Sequence, residues 1–118
     1  MKKGMIVDDA AVMRMRLRDI LSTRFSIVAE AENGKQAIEE YQKYNPDFVT
    51  MDISMAEMNG MEALKGLIHD FPDANIVMVS AVGQKALVFE ALNNGAKDFI
   101  IKPFEAERVL MAIDRLFE

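Results

Sequence analysis

The chain has 118 residues, 51% of them apolar, with a net charge of −5 and no cysteine. That suits one compact domain, residues 1–118, with a core of ordinary size, and it excludes disulfides and thiolate metal sites. The acidic balance argues against nucleic-acid binding, and the apolar runs are too short to span a bilayer. Lys2 and Lys3 lead straight into a strand-like segment rather than an apolar leader, so the expectation is a cytoplasmic monomer with no membrane partner. Ten methionines are many for this length and read mostly as flexible core filling.

Residues 4–8, GMIVD, read as a short strand, slightly weakened by Gly4, which packs nothing. Met13, Leu17, Ile20 and Leu21 then recur at helical spacing, with Arg14, Arg16 and Arg18 off that stripe. Residues 25–30, FSIVAE, form a second strand. Asn33-Gly34 breaks the chain before a helix marked by Ala37, Ile38 and Tyr41, which Asn45-Pro46 ends. Residues 47–51, DFVTM, form a third strand. After Asn59-Gly60, a helix marked by Leu64, Leu67, Ile68 and Phe71 runs to Pro72. Residues 76–81, IVMVSA, form a nearly unbroken apolar strand, followed by a helix over 84–94 that Gly95 closes. Residues 98–101, DFII, are a fifth strand, and Val109, Leu110, Ile113, Leu116 and Phe117 mark a last helix.

Strand–helix alternation with short connections implies a parallel α/β sheet covered on both faces. Asn59-Gly60 is also a hairpin signal, rejected because the following segment has helical periodicity. Ligands of such sheets bind beyond the carboxyl ends of the strands. Those ends supply Asp8 and Asp9, Asp52, Ser80 and Lys102. Taken singly, each has a plainer explanation: turn acids, a helix cap at Asp9, a turn hydroxyl, a solvated ammonium. Jointly they bring complementary groups to one edge. Clustered carboxylates repel and raise at least one pKa. Oxygen-only ligands suit Mg²⁺, which shares phosphate oxygens readily. A carboxylate beside a metal and an ammonium can attack a phosphoryl group, because such transfer needs mainly positioning and charge neutralisation. Ser80 would then donate to a phosphoryl oxygen. His69, late in its helix, reads as a surface residue.

Asp8-Asp9 after MIV, Asp52 after FVTM, Ser80 after IVMV and Lys102-Pro103-Phe104 after DFII resemble, over the whole chain, the receiver domain of bacterial two-component response regulators. VDDAAVMRMRLRDIL and GAKDFIIKPFEAERVL are similar to the single-domain CheY-like chemotaxis regulators in particular. The resemblance implies a flavodoxin-like, doubly wound (βα)5 fold with strand order 2-1-3-4-5. It implies that Asp52 is phosphorylated by a histidine kinase. Asp9, Asp52 and the Ser54 backbone carbonyl would bind Mg²⁺, with Asp8 acting through metal-bound water. Ser80 and Lys102 would contact the phosphoryl group, and the Lys102–Pro103 bond would be cis. Phe99 would turn inward as Ser80 moves, and Lys85, Val88 and Phe99 would lie on the output face; ordinary core packing is the competing reading of Val88 and Phe99. The implied protein is a signalling protein rather than an enzyme. Its partners would be a flagellar motor switch or another protein target, with a phosphatase as a further partner.

The chain departs from the family pattern at several points. Ala56 replaces the usual Pro after the phosphoacceptor, which is expected to loosen that loop, with metal affinity the property to watch. Phe99 replaces a common Tyr and cannot hydrogen-bond at the output face. Ser54 and Val82 occupy positions that tune hydrolysis of the acyl phosphate; apolar Val82 shields it and small Ser54 does not, which leaves its lifetime open. The alternatives are a phosphorelay intermediate, a receiver of a longer regulator, and a phosphorylation-independent interaction module. A haloacid-dehalogenase-type phosphatase lacks its Asp-x-Asp pair here. A flavodoxin-like carrier would need a phosphate-cradling loop where this chain has two acids.

Overall fold

Five apolar segments form strands: β1 (Lys3–Val7), β2 (Ser26–Ala31), β3 (Phe48–Asp52), β4 (Ile76–Ala81) and β5 (Asp98–Lys102). Each is followed by a helix: α1 (Ala11–Leu21), α2 (Gly34–Tyr44), α3 (Gly60–Asp70), α4 (Lys85–Asn93) and α5 (Ala106–Leu116). The computed structural model describes residues 1–55 and 58–118. Ala56, where the sequence leaves its family pattern, lies outside the described residues. The strands form one parallel sheet in the order β2-β1-β3-β4-β5, as expected. Among the described residues, no helix is long and apolar enough to cross a membrane.

Alternation along the strands divides the core in two. On one face Met5, Val49, Met51 and Met78 pack against α2, α3 and α4; on the other Ile6, Phe48, Val77 and Ile100 pack against α1 and α5. The first layer is rich in methionine, with Met61 joining from α3. The second is aromatic: Phe25 and Phe48 meet edge to face with centroids 5.1 Å apart. Gly4 is part of that second layer's construction. A Cβ there would lie 2.2 Å from Phe48 Cζ, so glycine gives the Phe48 ring its room. The reading that Gly4 packs nothing is thereby corrected.

Strand boundaries move for local reasons. β1 stops at Val7 because Asp8 Oδ1 accepts the Ala10 N–H at 2.9 Å, a turn that leads into α1. Phe25 precedes β2; its N–H donates to Leu21 O at 2.8 Å, closing the end of α1, while its ring enters the core. β3 and β5 each extend one residue beyond the expected end, so Asp52 and Lys102 are strand residues. Both Asn-Gly pairs are helix starts: Asn33 accepts from Gln36 N at 2.8 Å, and Asn59 forms a capping box with Glu62.

Candidate functional site

β3 is buried along its whole length and ends on Asp52. Asp52 is only 6% exposed. β1 beside it delivers Asp8, fully buried, and the exposed Asp9. Carboxylate oxygens of Asp8, Asp9 and Asp52 all lie within 4.8 Å of one another. The cap role considered for Asp9 falls to Ala10, which has no side chain to bond the helix, so Asp9 stays with the acids.

Lys102, at the end of β5, reaches across this edge. Its Nζ is 3.1 Å from Asp8 Oδ2 and 3.5 Å from Asp52 Oδ2. Arg14 Nη1 donates to the Asp8 carbonyl at 2.7 Å, fixing the backbone that carries the acid. Burial raises the Asp52 pKa above the ordinary carboxylate value, and the neighbouring Asp8 raises it further; Lys102 and a backbone hydrogen bond from Ser54 oppose the shift without cancelling it. Of the crowding expected among the three acids, the contribution felt at Asp52 comes from Asp8 and is second to burial. Ser80 is fully buried at the end of β4, and among the described residues its Oγ has no hydrogen-bond partner. A buried hydroxyl normally has one. The Lys102–Pro103 peptide is cis.

α3 starts directly on this site. Gly60 N–H donates to Ile53 O at 2.9 Å. A Cβ on Gly60 would meet the Asp52 carbonyl oxygen at 2.0 Å, so only glycine lets the helix approach the acid's own backbone. The donor set fits a hard divalent cation: carboxylate oxygens converging from two adjacent strands, with no softer ligand among them.

A family profile described as response regulator receiver domain matches residues 5–114. The chain belongs to the response regulator receiver domain family. It is 55% identical to the chemotaxis protein CheY of Bacillus subtilis over 112 residues, covering 94% of this chain and 93% of that protein. It is 49% identical to CheY of Thermotoga maritima over 116 residues, covering 98% and 97%. Among solved structures, a chain of the CheX–CheY–BeF3–Mg²⁺ complex from Borrelia burgdorferi superposes with a TM-score of 0.95 at 33% identity, covering 99% of this chain and 90% of that one.

On this receiver domain the expected switch and partner residues lie away from the acids. Phe99 is half-buried against the methionine-rich layer, and Lys85 is exposed at the start of α4. Val88 is 4% exposed and packs in the core, as the competing reading had it, while also flooring a groove of about 290 Å³. The groove's apolar wall comes from Val82, Phe89, Phe99 and Ile101. Phe89 and Ile101, 54% and 38% exposed, escaped the sequence reading. His69 is exposed beside Asp70, as expected.

Proposed function

We propose that Asp52 accepts a phosphoryl group from a phosphohistidine of a histidine kinase, and that the modified receiver signals in chemotaxis by contact with a protein partner, a flagellar motor switch being the favoured one. The observation that carries this reading is the pairing of three carboxylates within 4.8 Å with the Lys102 ammonium 3.5 Å from Asp52. A carboxylate oxygen of Asp52 attacks phosphorus as the P–N bond to the imidazole breaks. Lys102 and the Ser80 hydroxyl then hold the phosphoryl oxygens, which gives the orphaned Ser80 Oγ its partner. Asp9, Asp52 and the Ser54 carbonyl would hold Mg²⁺, with Asp8 reaching it through water. Bound there, the ion supplies neutralisation of charge on the transferring group. The protein acts as a cytoplasmic signalling unit over residues 1–118, consuming its own phosphoryl group rather than turning over a substrate.

The phosphoryl group adds roughly two negative charges. It must bind one conformation better than the other to shift the population. Ser80 and Lys102 move toward it, Phe99 takes the space behind Ser80, and the groove between α4 and β5 changes shape. That groove, flanked by Lys85, is the surface assigned to the output partner.

Acetyl phosphate with Mg²⁺ is expected to add a phosphoryl group to wild type, read by intact mass spectrometry, and none to Asp52→Asn. A stable aspartyl phosphate in that variant would sink the assignment. Mg²⁺ is expected to raise the melting temperature of wild type but not of Asp9→Ala; an unchanged wild-type value would remove the metal site. Because the folded-state pKa of Asp52 is raised, its ionisation opposes folding. The stability is full below the unfolded carboxylate pKa and is lost as pH rises through the folded value. Without metal at neutral pH, Asp52→Asn should therefore melt higher than wild type. The gap should close as the pH is lowered to the range where the unfolded acid is protonated. Binding of a flagellar switch peptide with and without beryllofluoride tests the partner: affinity that ignores beryllofluoride would count against that partner.

A further inference from the structure

Beside the phosphoacceptor, one neutral side chain joins two loops. Ser54 lies two residues past Asp52 in the loop after β3, and its backbone N–H helps hold the Asp52 pKa down. The Ser54 hydroxyl oxygen accepts from Gln84 Nε2 at 2.7 Å. The other end of the same amide, Gln84 Oε1, accepts the Ala81 N–H at 2.7 Å. Ala81 is the last residue of β4 and follows Ser80 directly. Two hydrogen bonds through one amide therefore join the end of β4 to the loop that follows Asp52.

The residue type suits the task. A carboxamide offers a donor and an acceptor on one rigid plane; a carboxylate has no donor and an ammonium no acceptor. Gln84 occupies the N-cap position of α4 yet makes no side-chain bond to the helix. Its amide is turned back toward Ala81 and Ser54 instead. Gly83, in the left-handed region at φ 94°, reverses the chain just ahead of it.

We propose that Gln84 is a positioning residue for the phosphoryl chemistry of Asp52: its amide clamps the β4 end to the loop after β3 and slows loss of the phosphoryl group. The inference rests on the phosphoacceptor reading above. In that loss, water attacks phosphorus, the P–O bond to Asp52 breaks, and the carboxylate is restored as inorganic phosphate leaves with the water's protons. Ser54 is exposed and, with Asp9, lines a cleft of about 440 Å³, the side from which water would approach. The clamp holds the Ser54 and Ala81 segments at a fixed separation on that side. It also links the two sites in the reverse direction, since movement of Ser80 toward a phosphoryl group displaces Ala81 and pulls on Gln84.

The test uses the full chain as wild type, Gln84→Ala, Ser54→Ala and the double variant. Both positions lie outside the core, so the fold is retained. In the unphosphorylated protein, amide hydrogen exchange at Ala81 should quicken about twofold in Gln84→Ala, the effect of one hydrogen bond at the surface, and less in Ser54→Ala. After loading with acetyl phosphate and Mg²⁺, loss of the phosphoryl group should be about threefold faster or more in each single variant. The double variant should be no faster than either, because both remove one device. Unchanged Ala81 exchange in Gln84→Ala overturns the clamp. Faster exchange with an unchanged phosphoryl lifetime, or additive effects in the double variant, overturns its role. A wild type that takes up no phosphoryl group overturns the phosphoacceptor reading instead, while the Ala81 exchange still decides whether the clamp exists.

Discussion

α3 and α4 leave adjacent strands of the same sheet, yet they are attached in opposite ways. α3 begins with a reciprocal cap: Asn59 Oδ1 accepts from Glu62 N at 3.0 Å, and Glu62 Oε1 accepts from Asn59 N at 3.4 Å. Its first residue, Gly60, lies against the backbone of Asp52 itself. α4 begins at Gln84 with no side-chain cap, after an exposed Val82 and a Gly83 whose missing Cβ would meet nothing within 4 Å. The difference suits the division of labour in the proposed function. There the residue that takes the phosphoryl group must be held still, and the helix behind it is docked backbone to backbone. The segment that answers must be able to move, so it is held by side-chain hydrogen bonds that can be exchanged.

Glycine substitution separates the two attachments most sharply. Gly60→Ala forces a methyl into the Asp52 carbonyl and should cost about 3 kcal/mol, because backbone cannot yield as a side chain can. Gly83→Ala has the space and suffers only from its positive φ, a loss of about 1.5 kcal/mol. Denaturant titration of both measures the gap, and equal losses would mean that α3 is no more tightly docked than α4. Asn59→Ala, which removes one half of the capping box, should cost about 1 kcal/mol. Gln84→Ala should cost less than about 0.5 kcal/mol, since both of its bonds are at the surface. A larger loss at Gln84 than at Asn59 would reverse the comparison.

Much of this was legible in the amino-acid pattern. The continuous apolar character of β3 and β4 fitted strands buried on both faces, and the acids and the lysine at strand ends were expected on one edge, where the structure brings them together. What escaped the reading depends on contacts between segments far apart in the chain. Gly4 looked like a weak point because its partner, the Phe48 ring, arrives from another strand. Asn59-Gly60 looked like a turn into a helix, but the requirement for glycine comes from the Asp52 carbonyl, which no local pattern reveals. Phe89 and Ile101 are ordinary residues of a helix and a strand until β5 places them on one groove. Gln84 has no signature at all, because its function depends on reaching two groups in three dimensions, one of them thirty residues away.

The methionine layer has a consequence for how motion in this molecule can be watched. Met5, Met51 and Met78 lie fully buried on β1, β3 and β4, beneath the helices of the responsive face. Met51 and Met78 pair in register on neighbouring strands, and methionine methyl groups can be followed by magnetic resonance without an attached label. Met78 pairs in register with Phe99 on β5, so a rotation of that aromatic ring changes the ring-current field at the Met78 methyl. The chain thus carries its own spectroscopic reporter, on the strand between the one that bears Asp52 and the one that walls the groove with Phe99 and Ile101.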